Sequence, residues 1–439
     1  MRNINHTHYW CLVAALSVFF LLWSGCGPSK DERELEAIKL HSAPVTEVVF
    51  SPDGMILASA SEDDTVRLLD VTDLHTNFDP GSTSTFIPHE LASSPFIGHG
   101  AGFHSLAFSP LGDQIAAGGT DFALGEIVKV WDVETAERLA VLTGHSGPVL
   151  SLDYDPLAQV LAIGGGRMLE AGEVTVGDWS GTASPVELGD ARGPVTDVAF
   201  SPDGSLLATA WGDGVVRVWN AADWTSAYEL AVDDHIPYCV AFSPDGARLV
   251  SAGDDSGPGF DGHGGVIRIW DAIDGELLSS MDLGATPIHA ISYSPEGSLI
   301  AAGGYAQEII VVEAWNSEVQ FTLRGHTAPV NSLDFSSNGQ LLVSGADDNF
   351  IRFWYVGDVV GENCDDGIDN DGDGWTDADD PNCTPGDREN GFGDSECNDN
   401  IDNDDDGLTD SSDPDCVDGF DDSESDDPAD AGPDSGDGG

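Results

Sequence analysis

Two stretches near the C-terminus carry aspartates at a spacing that could hold a metal ion. CDDGIDNDGDGWTDADDPNC (364–383) and CNDNIDNDDDGLTDSSDPDC (397–416) align without gaps and agree at 13 of 20 positions. In the first, Asp369, Asp371 and Asp373 alternate, Gly374 follows, and Asp377 and Asp380 come later. In the second, Asp402, Asp404 and Asp406 precede Gly407, with Asp410 and Asp413 beyond. Alternate residues aim their carboxylates inward, and the glycine permits a sharp turn. Calcium, a hard cation, takes roughly 6–8 oxygens, and the main-chain carbonyl of Trp375 or Leu408 can supply one. The expected cofactor is therefore calcium, held by these aspartates and two carbonyls.

Counted from Asp369 or Asp402, the acids and the glycine fall at places 1, 3, 5, 6, 9 and 12, which resembles a calcium loop of EF-hand type. Two features depart from it. Place 12 is Asp, with a shorter arm than Glu, and no amphipathic helices flank the loops. The segments are more similar to the Asp-rich calcium repeats of thrombospondin type 3 and to Cys-bounded repeats of exported bacterial proteins. That resemblance implies a modest affinity, ~10⁻⁴–10⁻³ M as in extracellular modules. The four cysteines Cys364, Cys383, Cys397 and Cys416 allow three connectivities. Pairing within each repeat is the simplest, and disulfides suit an oxidising compartment. Residues 417–439 lack the pattern and read as a disordered acidic tail.

The charge of the whole chain excludes some partners. Lys and Arg number 15 against 79 Asp and Glu, a formal net charge of −64 over 439 residues. Residues 357–439 alone hold 31 acids and one base, Arg388. Phosphate binding needs clustered Lys and Arg, so nucleic acid is not an expected partner. Cations, basic proteins and neutral partners remain.

The N-terminus reads as an address. Residues 10–23, WCLVAALSVFFLLW, are apolar and too short for a membrane span of about 20 residues. They suit the apolar region of a signal peptide, with Arg2 before it. The run ends in Leu22-Trp23-Ser24-Gly25-Cys26, which resembles the lipobox of bacterial lipoproteins. Trp23 departs from the usual Leu of that motif. The resemblance implies removal of 1–25, lipidation at Cys26, and a linker over 26–34. The protein is thus expected to be exported and lipid-anchored in the cell envelope. Gly27 after the cysteine leans toward the outer membrane. An uncleaved anchor and a plain secretory signal are the alternatives, and both also export the rest.

Between these ends lie seven repeats. An aromatic followed by a turn recurs at Phe50-SPDG, Phe108-SPLG, Tyr154-DPLA, Phe200-SPDG, Phe242-SPDG, Tyr293-SPEG and Phe335-SSNG. Alternating apolar stretches flank each turn, as in PVTDVAF and SLLATA, so each repeat opens with a hairpin of half-buried strands. A third strand often closes on Trp, as in VKVWD, VRVWN, IRIWD and IRFWY, and a more polar fourth leads to the next Gly-His. Repeats of this length with four strands, an early Gly-His and a late Trp-Asp resemble the WD-repeat family. The resemblance covers about residues 35–356. It implies an all-β chain: a seven-bladed β-propeller of four-stranded antiparallel blades, followed by a small loop-rich acidic calcium-repeat tail over 357–416.

In that family a buried hydrogen-bond set staples each blade: the His of Gly-His, a Ser or Thr, a turn Asp, and the Trp. The last repeat carries the full set as His326, Ser344, Asp348 and Trp354. Repeat one has His41, Ser59 and Asp63 with Leu69 in place of Trp; repeat four has Thr209, Asp213 and Trp219 without the His. Repeat three has His145 with Gly177 at the Trp position, and repeat six has Gly284 at the His position. The histidines thus read as structural. The last repeat also lacks a fourth strand, while ERELEAIKLHSAPV (32–45) aligns with AERLAVLTGHSGPV (136–149). An N-terminal strand is therefore expected to close the ring.

Insertions mark where partners could bind. Three fall between second and third strands: 120–126, 166–173 and 254–265. They carry Phe122, Arg167, Met168, Phe260, Asp261 and His263, residue types that anchor interfaces. The longest, about 73–95 in repeat one, is expected on the opposite face or edge. No nucleophile elbow, zinc-protease motif or phosphate loop is present, so no enzyme activity is expected. The leading expectation is a monomeric, lipid-tethered scaffold that binds a protein or peptide. A propeller hydrolase or lyase, and a structural surface protein bridged by calcium, are the alternatives.

Calcium titration of the tail checks the metal-binding reading of 364–416. Its circular dichroism and mobility should change at millimolar calcium, and an unchanged spectrum and mobility would contradict a metal role for the tail.

Overall fold

A computed structural model describes residues 33–357 apart from 74–87, 99, 122–124, 146, 168–169, 180–183, 190–192, 232–235, 255–263, 285, 315 and 317. Cys26, both aspartate loops and the four tail cysteines lie outside the described residues, as do Phe122, Met168, Phe260, Asp261 and His263.

The described chain forms seven antiparallel sheets, the blades of a propeller. Blade one is Val45–Phe50, Ile56–Ser61 and Thr65–Asp70, with the short outer strands His89–Glu90 and Phe96–Ile97 both paired to the third strand. Blade two runs Gly100–Phe108, Gln114–Asp121, Gly125–Asp132 and Arg138–Thr143; blade three runs Val149–Tyr154, Leu161–Gly165, Glu173–Gly177 and Val186–Leu188. Blade four is Val195–Phe200, Leu206–Trp211, Val215–Asn220 and Ser226–Ala231; blade five is Ile236–Phe242, Arg248–Asp254, Gly265–Asp271 and Leu277–Asp282. Blade six is Ile288–Tyr293, Leu299–Gly304, Glu308–Glu313 and Val319–Arg324. Blade seven takes Val330–Phe335, Leu341–Ala346 and Ile351–Tyr355 from the C-terminal side, and its fourth strand, Glu34–Ile38, from the N-terminal side. The ring is thus closed by the strand that the alignment of 32–45 with 136–149 points to.

The burial of each strand follows its place. First strands alternate, as in Val45–Phe50, because one face meets a neighbouring blade and the other is only partly covered. Second strands such as Leu341–Ala346 are buried throughout, sandwiched between two blades, so they read as unbroken runs of small and aliphatic residues. Their glycines let the blades approach. A Cβ on Gly345 would come within 2.6 Å of Val45 in blade one, and one on Gly118 within 2.4 Å of Val149 in blade three. Side chains there would wedge the blades apart.

The antiparallel order sets two faces. The aromatic-turn hairpins and the third-to-fourth strand connections lie on one, here the lower face. The second-to-third strand hairpins and the blade-to-blade connections lie on the upper face. The expected 120–126 insertion is smaller than its sequence suggests, since the strands run on to Asp121 and restart at Gly125, leaving 122–124 between them. The other two upper-face hairpins keep their length, at 166–172 and 255–264. The insertion of blade one leaves Asp70 beside the lower turn, where the Val71 amide donates to Met55 at 2.9 Å. Glu34–Ile38 runs from the lower face upward, and Ile351–Tyr355 runs down to it, so both ends of the ring emerge below. There the Tyr355 amide donates to the Arg33 carbonyl at 2.9 Å.

Candidate interaction surface

Polar side chains inside the blades show what holds the upper-face hairpins. In blade seven, His326 Nε2 lies 2.7 Å from Ser344 Oγ, which also accepts from Trp354 Nε1 at 2.8 Å. His326 Nδ1 lies 3.0 Å from Asp348 Oδ2, and that carboxylate accepts the Thr327 amide at 2.9 Å. Burial holds His326 below the usual histidine range against the opposing pull of Asp348. Blade one repeats the arrangement with His41 2.8 Å from Ser59 and 3.1 Å from Asp63, and Leu69 fills the Trp position as apolar core.

The blades that lack a member replace it in ways their sequences had not suggested. In blade four the His is missing, and Trp211 takes its place. Thr209 Oγ1 accepts from Trp219 Nε1 at 3.0 Å and from Trp211 Nε1 at 2.8 Å. Asp213, freed from a histidine, binds Arg217 at 2.8 Å, and that guanidinium lies 4.9 Å over the Trp211 ring. Blade three has Ile163 where blades one, four, five and seven carry the hydroxyl, as its pairing with Leu152 and Thr175 shows. His145 therefore turns to Glu173, at 3.4 Å. Blade two has Ala117 at that position, and Trp131 is held by stacking on Phe96 at 5.5 Å.

A narrow channel of about 160 Å³ runs along the axis, lined by the first strands. An innermost strand has a free edge, and its amides need acceptors. Among the described residues, those of blades one to five are capped from the preceding blade. Phe50 donates to Asp334 and Phe200 to Asp153, both at 2.7 Å. Val240 donates to Asp197 at 2.8 Å, Leu152 to Ser105 at 2.9 Å, Val48 to Ser332 at 3.1 Å, and Leu106 to Glu47. Burial raises these acids: Glu47 to about 8, Asp153 and Asp334 to about 7, Asp197 to about 6. The signal was present in the sequence as a polar residue one or three places before the repeated aromatic.

Of the six residues proposed to contact partners, the structure places Arg167, exposed in the upper hairpin of blade three, where its carbonyl accepts the Glu170 amide at 3.1 Å. A second upper-face cluster has no signal in the sequence. Tyr238 stacks on His289 at 4.8 Å and 17°, and Tyr305 meets His289 edge-on at 4.8 Å and 81°.

A family model described as WD domain, G-beta repeat matches residues 33–70, 90–132, 136–169, 186–220, 229–271 and 317–355, more than half of the chain. The chain belongs to the WD-repeat family. The first three strands of blade six fall between these matches. That blade lacks the shared signals: Ala302 stands at the hydroxyl position and Val312 at the Trp position. Among its relatives, the B-type cell cycle switch protein ccs52B of Medicago truncatula is 29% identical over 34% of this chain and 30% of its own. WD repeat and HMG-box DNA-binding protein 1 of Xenopus laevis is 27% identical over 36% and 13%. Small ribosomal subunit protein RACK1y of Oryza sativa subsp. japonica is 28% identical over 35% and 44%. The match thus spans less than half the length of each of these relatives.

The channel acids make a pH prediction for this WD-repeat ring. Their folded values lie above their unfolded ones, so the stability they contribute is full below about pH 4 and lost as pH rises through about 6–8. Asp334→Asn keeps the acceptor and removes the titration. Relative to wild type it should gain about 1–3 kcal/mol between pH 5 and pH 8 in denaturant unfolding. Parallel pH profiles would refute the assignment.

Proposed function

We propose that this chain is an exported, lipid-anchored WD-repeat propeller that acts as a protein-interaction scaffold, with a calcium-stabilised tail. One observation carries the reading. Both ends of the ring leave from the lower face, while the strands joined by the long connections 166–172 and 255–264 meet them at the upper one. Cys26 stands seven residues before Arg33, a tether of at most about 25 Å. A lipid at Cys26 therefore turns the lower face toward the membrane of the envelope, with Gly27 after the cysteine favouring the outer membrane, and leaves the upper face to a partner. The relatives are in keeping with that class: one is named as a WD-repeat protein, and others as a switch protein and a ribosomal subunit protein.

The reading is of a non-enzymatic protein. The carboxylates of the channel hold backbone amides of the next blade, so they serve the ring and not a substrate. The partner is a protein or peptide, not nucleic acid, given the net charge of −64. The tail binds calcium through Asp369 to Asp380 and Asp402 to Asp413.

One experiment on crosslinked cell envelopes separates the parts. Wild type should fractionate with membranes and bring a partner with it. Cys26→Ser should become soluble. A variant with 255–263 replaced by a short Gly-Ser turn should stay in the membrane and lose the partner. An unchanged partner after replacement of that loop and of 167–171 would contradict the scaffold reading, and a membrane-bound Cys26→Ser protein would contradict the anchor.

A further inference from the structure

The upper mouth of the channel is not uniform around the ring. Blades five, six and seven contribute Tyr238, His289 and Asn331 to it. Tyr238 and His289 form a stacked pair, and Tyr305 stands perpendicular to the imidazole with 55% of its surface exposed. Tyr305 opens the upper hairpin of blade six, directly after Leu299–Gly304. That hairpin is kept tight by Gln307, whose φ is 64°. Two carboxylates border the aromatic corner. Asp254 ends the second strand of blade five, and its charge acts on both Tyr238 and His289. Asp347, which accepts Asn331 Nδ2 at 2.8 Å, also acts on His289.

The chemistry of this corner favours a cation. Aromatic faces carry negative charge density, and a guanidinium or ammonium group over them gains about 0.5–1 kcal/mol, more when partly desolvated. The adjacent carboxylates add Coulomb attraction. No lysine or arginine stands among the described residues lining the channel. Burial holds His289 below the usual histidine range, so it is neutral near pH 7 and does not repel a cation. Its Nε2 is enclosed and has no hydrogen-bond partner among the described residues. The channel volume of about 160 Å³ is below the roughly 300–1,000 Å³ of drug-sized pockets, so it suits a single side chain.

We propose that the corner formed by Tyr238, His289 and Tyr305, bordered by Asp254 and Asp347, receives a lysine or arginine side chain from a basic segment of the partner protein. The proposal rests on the scaffold reading and names the chemistry its partner presents.

A tetralysine peptide, titrated calorimetrically into the full chain in about 150 mM salt with millimolar calcium, tests it. The same peptide with every ammonium acetylated is the control. Tetralysine should bind wild type, and the acetylated peptide should not. Tyr305→Ala, which leaves net charge and tail unchanged, should weaken binding about fivefold. Tyr305→Phe should match wild type, as should Asp203→Asn on the lower face. Equal binding by wild type and Tyr305→Ala would mean diffuse attraction to an acidic surface and overturn the proposal. So would absence of binding to wild type; if loop-dependent partner capture persisted in that case, the scaffold reading would stand alone.

Discussion

Everything in this ring depends on one sheet contact, the antiparallel pairing of Glu34–Ile38 with Ile351–Tyr355. Each blade is a small sheet that cannot cover both of its faces alone. It does so only against two neighbours, and a row of such sheets leaves two uncovered unless it closes. The N-terminal strand completes blade seven, and Arg352 Nη1 donates to Glu34 at 2.7 Å across the join. Blade seven then packs on blade one, with Val343, Ile351 and Phe353 in one buried cluster with Val45, Leu57 and Leu69. The two ends of the described ring are thereby brought to one face.

Closure covers the last two blade faces and leaves seven inner edges around the axis. Strands around a channel have no sheet partner on the axial side. The side chains that answer this come from the blade before, so the caps also tie neighbours together. Acids in that role are half-buried at the channel wall, and desolvation raises their values. The ring therefore depends on protonation at its centre, while its surface carries a large negative charge. Between blades five and seven the capping is thinner, because Cys239 and Ala290 hold the positions that Ser, Glu or Asp hold elsewhere. The aromatic corner lies beside this thinner stretch.

The repeat architecture was legible because its signals are local. The aromatic-turn pairs, the alternation around them and the spare strand at 34–38 needed no knowledge of neighbours. What stayed hidden depends on which residues meet across strands. Trp211 looks like one more apolar residue at a strand end until its indole is seen donating to Thr209. Glu47 and Asp334 sit on half-buried strands where alternation predicts exposure, and the next blade covers them. Tyr305 follows a strand and draws no notice in sequence, and it gains meaning only because His289 and Tyr238 from separate strands lie beside it. The lengths of the 166–172 and 255–264 hairpins were readable, whereas 120–126 was overestimated because Thr120, Asp121 and Gly125 extend the strands.

The central claim is that the N-terminal strand locks a single closed ring. Deleting residues 33–38 while keeping the segments before and after them tests it, with hydrogen exchange at the amides of Ile351–Tyr355 and thermal unfolding read together. The account predicts fast exchange along that strand, a melting transition lowered by the loss of about 3–5 kcal/mol, and association through the exposed edge. Protected amides and an unchanged transition in the shortened chain would contradict it.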